Sequence, residues 1–220
     1  MNSALGLGTG EAVLARPMRN SRLQCETKRW SDVCLAVVFL AGLSPVLLLI
    51  ALAVKLQDRG PIIYRRRVAG PKSEFDAFKF RTMRIDADVI LRNDSSLRQE
   101  FEKNYKLTND PRVTRIGAWL RKFSLDELPQ LFNVLRGEMS LVGPRMISPP
   151  ELEKYGDAKA LLLSVKPGLT GYWQVYGRQR VDYAERVRMD IYYIQNWSLS
   201  LDLKLLLLTP MRVLRGTGAY

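Results

Sequence analysis

No histidine occurs among the 220 residues. That absence removes Ser-His-Asp and Cys-His catalysis and the histidine-containing zinc sites. Cysteine is nearly as scarce. Cys25 and Cys34 are the only two, have no metal-ligand spacing, and one lies in an apolar run. A disulfide framework is therefore not expected, which suits a reducing compartment. Acid is in deficit, with 22 Asp and Glu against 34 Lys and Arg, a net charge of +12. Such an excess calls for an acidic partner: nucleic acid, anionic lipid or a phosphorylated substrate. Any metal is expected to be a hard, oxygen-liganded ion such as Mg²⁺. Repeats, low-complexity tracts and linker-like boundaries are also missing. The length suffices for one domain with its own core.

What is present begins with a long apolar run. Residues 33–54 carry no charge and are about long enough to cross a bilayer. Hydropathy alone reads as an ordinary spanning helix. Two features argue otherwise. Ser44-Pro45 sits mid-run, where proline removes a backbone bond and bends a helix. Both flanks are basic, with Lys28 and Arg29 before and Lys55, Arg59 and Arg65–Arg67 after. Positive flanks stay cytoplasmic, so a helix that dips into one leaflet and returns satisfies both. Residues 1–27 read as a mobile tail, not a signal peptide.

Pro61–Tyr64 and Glu74–Arg81 read as two short strands joined at Gly70-Pro71. Alternation puts Phe78 and Phe80 on one face and Lys79 and Arg81 on the other. That second face is either solvated or presented to phosphate. Helices are expected over Asp86–Leu91, from a Ser96-x-x-Gln99 capping box to Tyr105, and over Val113–Phe123. The last of these places Ile116, Trp119, Leu120 and Phe123 together. Met139–Arg145 reads as a strand and turn, Glu151–Tyr155 and Asp157–Val165 as a helical pair, and Lys166–Gly171 as a loop. Tyr172–Val175 reads as a strand leaving through Gly177-Arg178. Asp182–Ile194 is an amphipathic helix with an Arg186/Asp190 pair. Leu205–Leu208 is too short to span. It packs in the core or lies at a membrane interface, with Trp197 at headgroup level and Lys204 snorkelling.

The chemistry-bearing stretch is Ser124-Leu125-Asp126-Glu127-Leu128-Pro129-Gln130. Two adjacent carboxylates stand at the start of a helix that ends at Gly137, with Leu128, Leu131, Phe132 and Leu135 at buried spacing. Ser124-x-x-Glu127 fits a capping box, and acids suit a first turn. Pro129 favours a start nearer Asp126. A helix N-terminus also favours anions. With Arg121 just upstream, the acids stand where phosphate chemistry can be done.

Six motifs in order carry a resemblance: Lys79–Met83, Asp110–Thr114, Ser124–Gln130, Met139–Arg145, Pro167–Gly171 and Gln174–Arg178. Together they closely resemble the bacterial sugar transferases, the monotopic polyprenyl-phosphate phosphoglycosyl transferases, over about residues 28–215. The resemblance implies an enzyme on the cytoplasmic face of the bacterial inner membrane. It would move a sugar 1-phosphate from a UDP-sugar to undecaprenyl phosphate, release UMP and start a surface glycan. It implies Asp126 as nucleophile, Glu127 as its companion toward Mg²⁺, and a re-entrant helix broken at Ser44-Pro45. Lys79, Arg81, Arg121, Arg145 and Arg178 become candidate phosphate or nucleotide contacts. Trp173-Gln174-Val175 and Asn196-Trp197-Ser198 are similar to the hexose branch, galactose or glucose. Met146 stands where the family usually has proline, Tyr176 where it has a small or polar residue, and Glu138 where Asp is frequent. The large N-terminal membrane bundle of longer relatives is missing, so the chain reads as a minimal catalytic unit.

The expected fold is α+β, mostly helical with a small β element. It comprises a tail (1–27), a re-entrant membrane helix (28–58) and a catalytic domain with an interfacial C-terminal helix (59–220). Expected partners are UDP-sugar, undecaprenyl phosphate and membrane lipid, without nucleic acid; a homodimer is left open. Two rivals stay open: a basic membrane-associated protein that binds nucleic acid or lipid without catalysis, and a phosphatase working through an aspartyl phosphate.

Overall fold

A computed structural model describes residues 21–104, 107, 110–177 and 181–214. Most of the anticipated tail, residues 1–20, lies outside the described residues, as does Arg178. The described chain is mostly helical with two small two-stranded sheets.

Helix α1 runs from Arg22 to Asp58, taking in part of the segment expected as tail. Ser21 caps it, its side chain accepting from the backbone N–H of Gln24, with Gln24 returning the bond. The helix passes through Pro45 without interruption. Proline at that position leaves the carbonyl of Ala41 without its N–H partner. The Ser44 hydroxyl donates to that carbonyl at 2.8 Å. Ser-Pro thus supplies its own remedy where no water would.

Both ends of α1 dock on the same folded body. Near the N-terminal end, Arg29 donates to the carbonyls of Val134 and Leu135, at 2.6 and 2.9 Å. Asp32 accepts from Ser140 Oγ at 2.7 Å and from the N–H of Leu141 at 3.2 Å. Near the C-terminal end, Ile50 and Val54 pack with Phe80 and Leu120, and Asp58 pairs with Arg81. Between the ends, Val37, Val38, Leu48 and Leu49 are exposed. The helix is long and apolar enough to cross a membrane, and its lipid-like surface marks a membrane association. Lys28 and Arg29, expected as basic flanks, also serve as structural anchors, Lys28 donating to the Val142 carbonyl and to Asp202.

Strands β1 (Ile63–Val68) and β2 (Phe75–Phe80) form the anticipated hairpin, with Ile63 opposite Phe80 and Val68 opposite Phe75. Helices α2 (Ala87–Asn93) and α3 (Ser95–Asn104) follow. The cap before α3 is Asp94, which accepts from the N–H of Leu97 at 2.9 Å, rather than Ser96. Helix α4 (Arg115–Lys122) is capped by Thr114. Leu120 is buried there but Trp119 is exposed, contrary to the periodic reading. Local periodicity assigns a stripe; the neighbouring elements decide how wide the covered part is. Helix α5 (Gln130–Arg136) ends at Gly137, whose φ of 79° is the left-handed region that glycine adopts freely. Leu131 and Val134 are buried, whereas Phe132 is exposed. Asn133 takes an inward position instead. It accepts from the Phe78 N–H at 3.0 Å and donates to the Asp76 carbonyl at 2.8 Å, tying α5 to β2.

Strand β3 (Ser140–Val142) pairs in parallel with β4 (Gly168–Thr170), which the sequence reads as loop. Glycine explains the contact. A Cβ on Gly168 would meet Gly143 N at 2.1 Å, and one on Gly171 would meet Gly143 O at 2.0 Å. Between the strands lie a 3-10 segment (Pro149–Ala158), kinked at Gly156, and α6 (Lys159–Leu162). Tyr172–Tyr176 forms helix α7 where a strand is expected. Aromatic β preference is overridden by packing: Val175 is buried, and Tyr172 stacks on Tyr192 of α8 (Tyr183–Gln195). Helix α9 (Leu199–Leu214) closes the core through Leu205. Its Leu203, Leu207 and Met211 are exposed at four-residue spacing, an unpartnered apolar stripe. Trp197 is not at a surface. It is buried, its indole N–H donating to Asp202 at 3.0 Å.

Candidate active site

Asp126 and Glu127 do not open a capped α-helix. They lie in a 3-10 turn, Leu125–Glu127, preceding α5. Ser124 makes no side-chain cap and adopts a left-handed φ of 53°, so the capping box is not formed. The turn joins α4 to α5 and leaves both carboxylates largely covered, their side chains 10% and 17% exposed. Asp126 is buried. Pro129 takes the position before α5, where its missing N–H costs nothing.

The pair is electrostatically asymmetric. Lys79, from β2, donates to Glu127 Oε1 at 2.6 Å and stands 4.0 Å from Asp126 Oδ2. Burial would raise the Glu127 carboxyl, but Lys79 and then Arg145 outweigh it and hold it at about 2. Burial dominates at Asp126, raising its carboxyl above the ordinary range; Lys79 and Arg121 oppose this, and the charge of Glu127 adds to it. One acid is thus a fixed anion bound to a lysine. The other is desolvated and has no hydrogen-bonded cation of its own among the described residues.

Of the five cations singled out by sequence, three gather here. Lys79 bridges the acids. Arg121 donates from Nε to Thr82 Oγ1 at 2.9 Å and acts on Asp126 through its charge. Arg145 follows β3 and acts on Glu127, its guanidinium 5.0 Å from the Trp173 ring centre. Arg81 is placed elsewhere. It forms a two-pronged pair with Asp58 and donates to the Pro61 carbonyl at 2.6 Å, locking the end of α1 to the hairpin. Its partners are main chain and a carboxylate, which is a structural anchor. Ser44 and Pro45 lie mid-α1, remote in sequence from the acids, and Ser44 lines the cavity described next.

A cavity of about 850 Å³ opens between α1, the hairpin and α5. Leu47, Ala51, Phe78, Phe80 and Phe132 contribute apolar walls, and Pro129 brings it beside the acid pair. Lys55, Arg65 and Arg136 are its cations. Phe132, misassigned to the core by periodicity, faces this space.

Among the described residues, no group of three or more His, Cys, Asp or Glu side chains is placed to hold a metal. The acid pair offers two carboxylates with a lysine ammonium between them. Mg²⁺ binds through one or two carboxylates and completes its shell with phosphate oxygens and water. The donor set therefore fits a Mg²⁺ that arrives with a phosphorylated substrate, not a preformed cage.

Sequence reasoning missed Arg66 and Arg186. Arg66 donates to Glu151 at 2.7 Å, and Arg186 stands 3.9 Å from the same carboxylate. The anticipated Arg186–Asp190 ion pair is not formed as such. Asp190 instead accepts from Tyr155 OH at 2.8 Å and from the Arg145 N–H at 3.4 Å. No local signal announces these partners, which are separated by 35 or more residues.

Residues 23–216 match the family described as bacterial sugar transferase. The chain is 46% identical over 198 residues to a Salmonella typhimurium protein named undecaprenyl-phosphate galactose phosphotransferase, covering 88% of this chain and 41% of that protein. It is 47% identical over 198 residues to the exopolysaccharide production protein ExoY of Rhizobium meliloti, covering 88% of each. A Xanthomonas campestris pv. campestris protein named UDP-glucose:undecaprenyl-phosphate glucose-1-phosphate transferase is 40% identical over 206 residues, which cover 88% of this chain and 40% of that one. The chain thus spans about two fifths of the first and third and most of the second.

Proposed function

The chain belongs to the bacterial sugar transferase family, and from that premise we propose that it transfers a hexose 1-phosphate, galactose or glucose, from a UDP-sugar to undecaprenyl phosphate. The names of its relatives support both substrates and a role at the start of exopolysaccharide synthesis. One observation carries the mechanism: of two adjacent acids, Lys79 holds the half-buried Glu127 and leaves the buried Asp126 without a hydrogen bond from a cation among the described residues.

In this reading a carboxylate oxygen of Asp126 bonds to the sugar-proximal phosphorus. The bond from that phosphorus to the bridging oxygen breaks, and UMP leaves with the electron pair. A phosphate oxygen of undecaprenyl phosphate then attacks the same phosphorus and frees the carboxylate, giving a lipid-linked diphosphosugar. A covalent intermediate divides one hard displacement into two. Lys79, Arg121 and Arg145 neutralise the charge gathering on phosphate. Mg²⁺ bound by Glu127 and Asp126 would add a further positive charge at the diphosphate.

The cavity against α1 suits the acceptor. Apolar walls match an isoprenoid chain, its three cations match a phosphate, and Pro129 places it beside the nucleophile. Docking of both ends of α1 on one body supports a re-entrant course, since one body cannot hold both ends from opposite sides of a bilayer. That course, with Lys28, Arg29, Lys55 and Arg59 at the ends of the apolar run, supports residence on the cytoplasmic face of the bacterial inner membrane.

The test is incubation of the full chain with ³²P-labelled UDP-galactose or UDP-glucose and no acceptor. Label should attach covalently and leave as a lipid product when undecaprenyl phosphate is added. Asp126→Asn should label not at all and lose roughly 10³-fold or more in turnover, with its melting temperature unchanged or raised, because a desolvated acid has been removed. Equal labelling of Asp126→Asn would exclude Asp126 as nucleophile, and release of inorganic phosphate instead of UMP would favour a phosphatase.

A further inference from the structure

The acid pair accounts for only part of the arginine on this molecule. Successive strand residues face opposite ways. On β1, Arg65 lines the cavity against α1, while Arg66 faces the other way and donates to Glu151 at 2.7 Å. On that second side Arg145 and Arg186 stand 5.0 and 5.1 Å from the ring centre of Trp173. Arg186 also lies 4.9 Å from the Tyr183 ring. Three carboxylates face these three guanidiniums, Glu127 among them through Arg145 and Arg66. Glu151 is shared between Arg66 and Arg186. Asp190 takes the Tyr155 hydroxyl, and its burial pushes it up to about 6. Lys79 already holds Glu127, so four cations face three acids and positive charge is left over even with all three ionised.

The hydrogen-bond inventory points the same way. Nε and Nη2 of Arg186, Nε1 of Trp173 and the hydroxyl of Tyr183 are buried and have no hydrogen-bond partner among the described residues. An unpaired donor on a buried cation is costlier than a neutral one, and native folds leave few such groups. Four unpaired atoms on three side chains of one cluster, all able to donate, describe the lining of a site for a strong acceptor. Guanidinium forks beside indole and phenol donors match phosphate oxygens. The cluster is built from β1, the Pro149–Ala158 segment, α7, α8 and the residue following Pro144. None of these residues belongs to α1, and none lines the cavity against it. The lipid phosphate has its own cations in the α1 cavity.

We propose that Arg66, Arg145 and Arg186, ordered on Trp173 and Tyr183, form a subsite for the nucleotide-side phosphate of a nucleoside diphosphate sugar. The acid pair then lies between two phosphate sites, with Pro129 on the lipid side and Arg145 on the nucleotide side. The donor's sugar-proximal phosphorus reaches Asp126 while the leaving UMP stays anchored. This rests on the proposed function for the identity of the ligand, but not for the existence of an anion site.

The experiment is equilibrium titration of the detergent-solubilised full chain with UDP, with pyrophosphate and with a short isoprenyl monophosphate, read by tryptophan fluorescence and by calorimetry. UDP and pyrophosphate should compete with each other and shift the emission, and the shift should vanish in Trp173→Phe. Arg186→Gln should weaken UDP at least 10-fold and raise KM for the UDP-sugar. Arg186→Lys, which keeps the charge but not the fork, should recover only part. Isoprenyl phosphate binding should be indifferent to Arg186 and sensitive to Arg136→Gln. UDP affinity unchanged in folded Arg186→Gln and Arg66→Gln would overturn the assignment, as would a wild-type emission that UDP leaves unaltered. Loss of isoprenyl phosphate binding in place of UDP would also overturn it. Pyrophosphate binding that depends on Arg186, in a chain that releases UMP from no UDP-sugar, would instead sink the proposed function and leave the anion site standing.

Discussion

Burial raises the carboxyl of Asp126, while Lys79 and Arg145 overcome burial at Glu127 and hold it at about 2. The two have opposite linkage to folding. Glu127 is depressed below its ordinary 4.5. It contributes stability that is fully present above 4.5 and lost as pH falls from there toward 2. Asp126 is raised above 3.8, so its contribution is present below 3.8 and lost as pH rises through its folded value. Glu127→Gln should therefore flatten the loss of stability between pH 4.5 and 2 in acid titrations followed by circular dichroism. At neutral pH it should lower stability by about 2 kcal/mol, because Lys79 loses its hydrogen-bonded anion and keeps only Asp126 at 4.0 Å. An unchanged acid limb would mean that Lys79 does not hold Glu127 in solution. The acid pair itself was legible as a motif; its division of labour was not, since Lys79 stands 48 residues away.

Elements carry the site through two devices. The first is the parallel contact of β3 and β4, where Gly143 N donates to the Thr170 carbonyl at 2.9 Å and Gly168 N to that of Pro144 at 2.8 Å. Arg145 follows immediately. Gly168→Ala would drive a methyl into Gly143 N, costing about 2 kcal/mol or more. Thermal melts should show the loss, and covalent labelling should fall beyond what unfolding explains, because Arg145 moves. The second device is α1. With native Cys25 exposed near one end and Arg59→Cys at the other, a membrane-impermeant maleimide should label both sites from the same side of sealed inverted vesicles. Labelling from opposite sides would mean a straight crossing and would remove the re-entrant reading. The basic flanks and Ser44-Pro45 were readable in order along the chain. The docking of both ends was not, because it depends on Asp32 and Asp58 meeting Ser140 and Arg81 in space.

At the scale of the whole molecule, exposed apolar surface on α1 and on α9 frames the folded body. If both lie on lipid, a polarity-sensitive dye on Leu207→Cys should shift to the blue when the chain is placed in anionic vesicles, whereas a dye on Glu153→Cys should not. Salt should change that shift little, because apolar burial is not screened while charge attraction is. A dye at Leu207 that stays as wet as the one at Glu153 would detach α9 from the membrane. Cys25 and Cys34 would be replaced by serine in these variants so that only the chosen site carries the dye.

By itself, the sequence determined what neighbours a few residues apart can decide. It specified a long apolar helix with a proline inside, a hairpin turned at Gly70-Pro71, an α5 stopped at Gly137, and two adjacent acids among arginines. Its local signals misjudged α7, the cap of α3 and the faces of Trp119, Phe132 and Trp197. Tertiary structure alone decided which cation serves which acid. Arg81 went to Asp58, Lys79 to Glu127, and Arg66 with Arg186 to Glu151. The reason is physical. Periodicity and turn chemistry act along the chain, whereas the fate of a charged side chain depends on desolvation and on partners brought together only when the core closes.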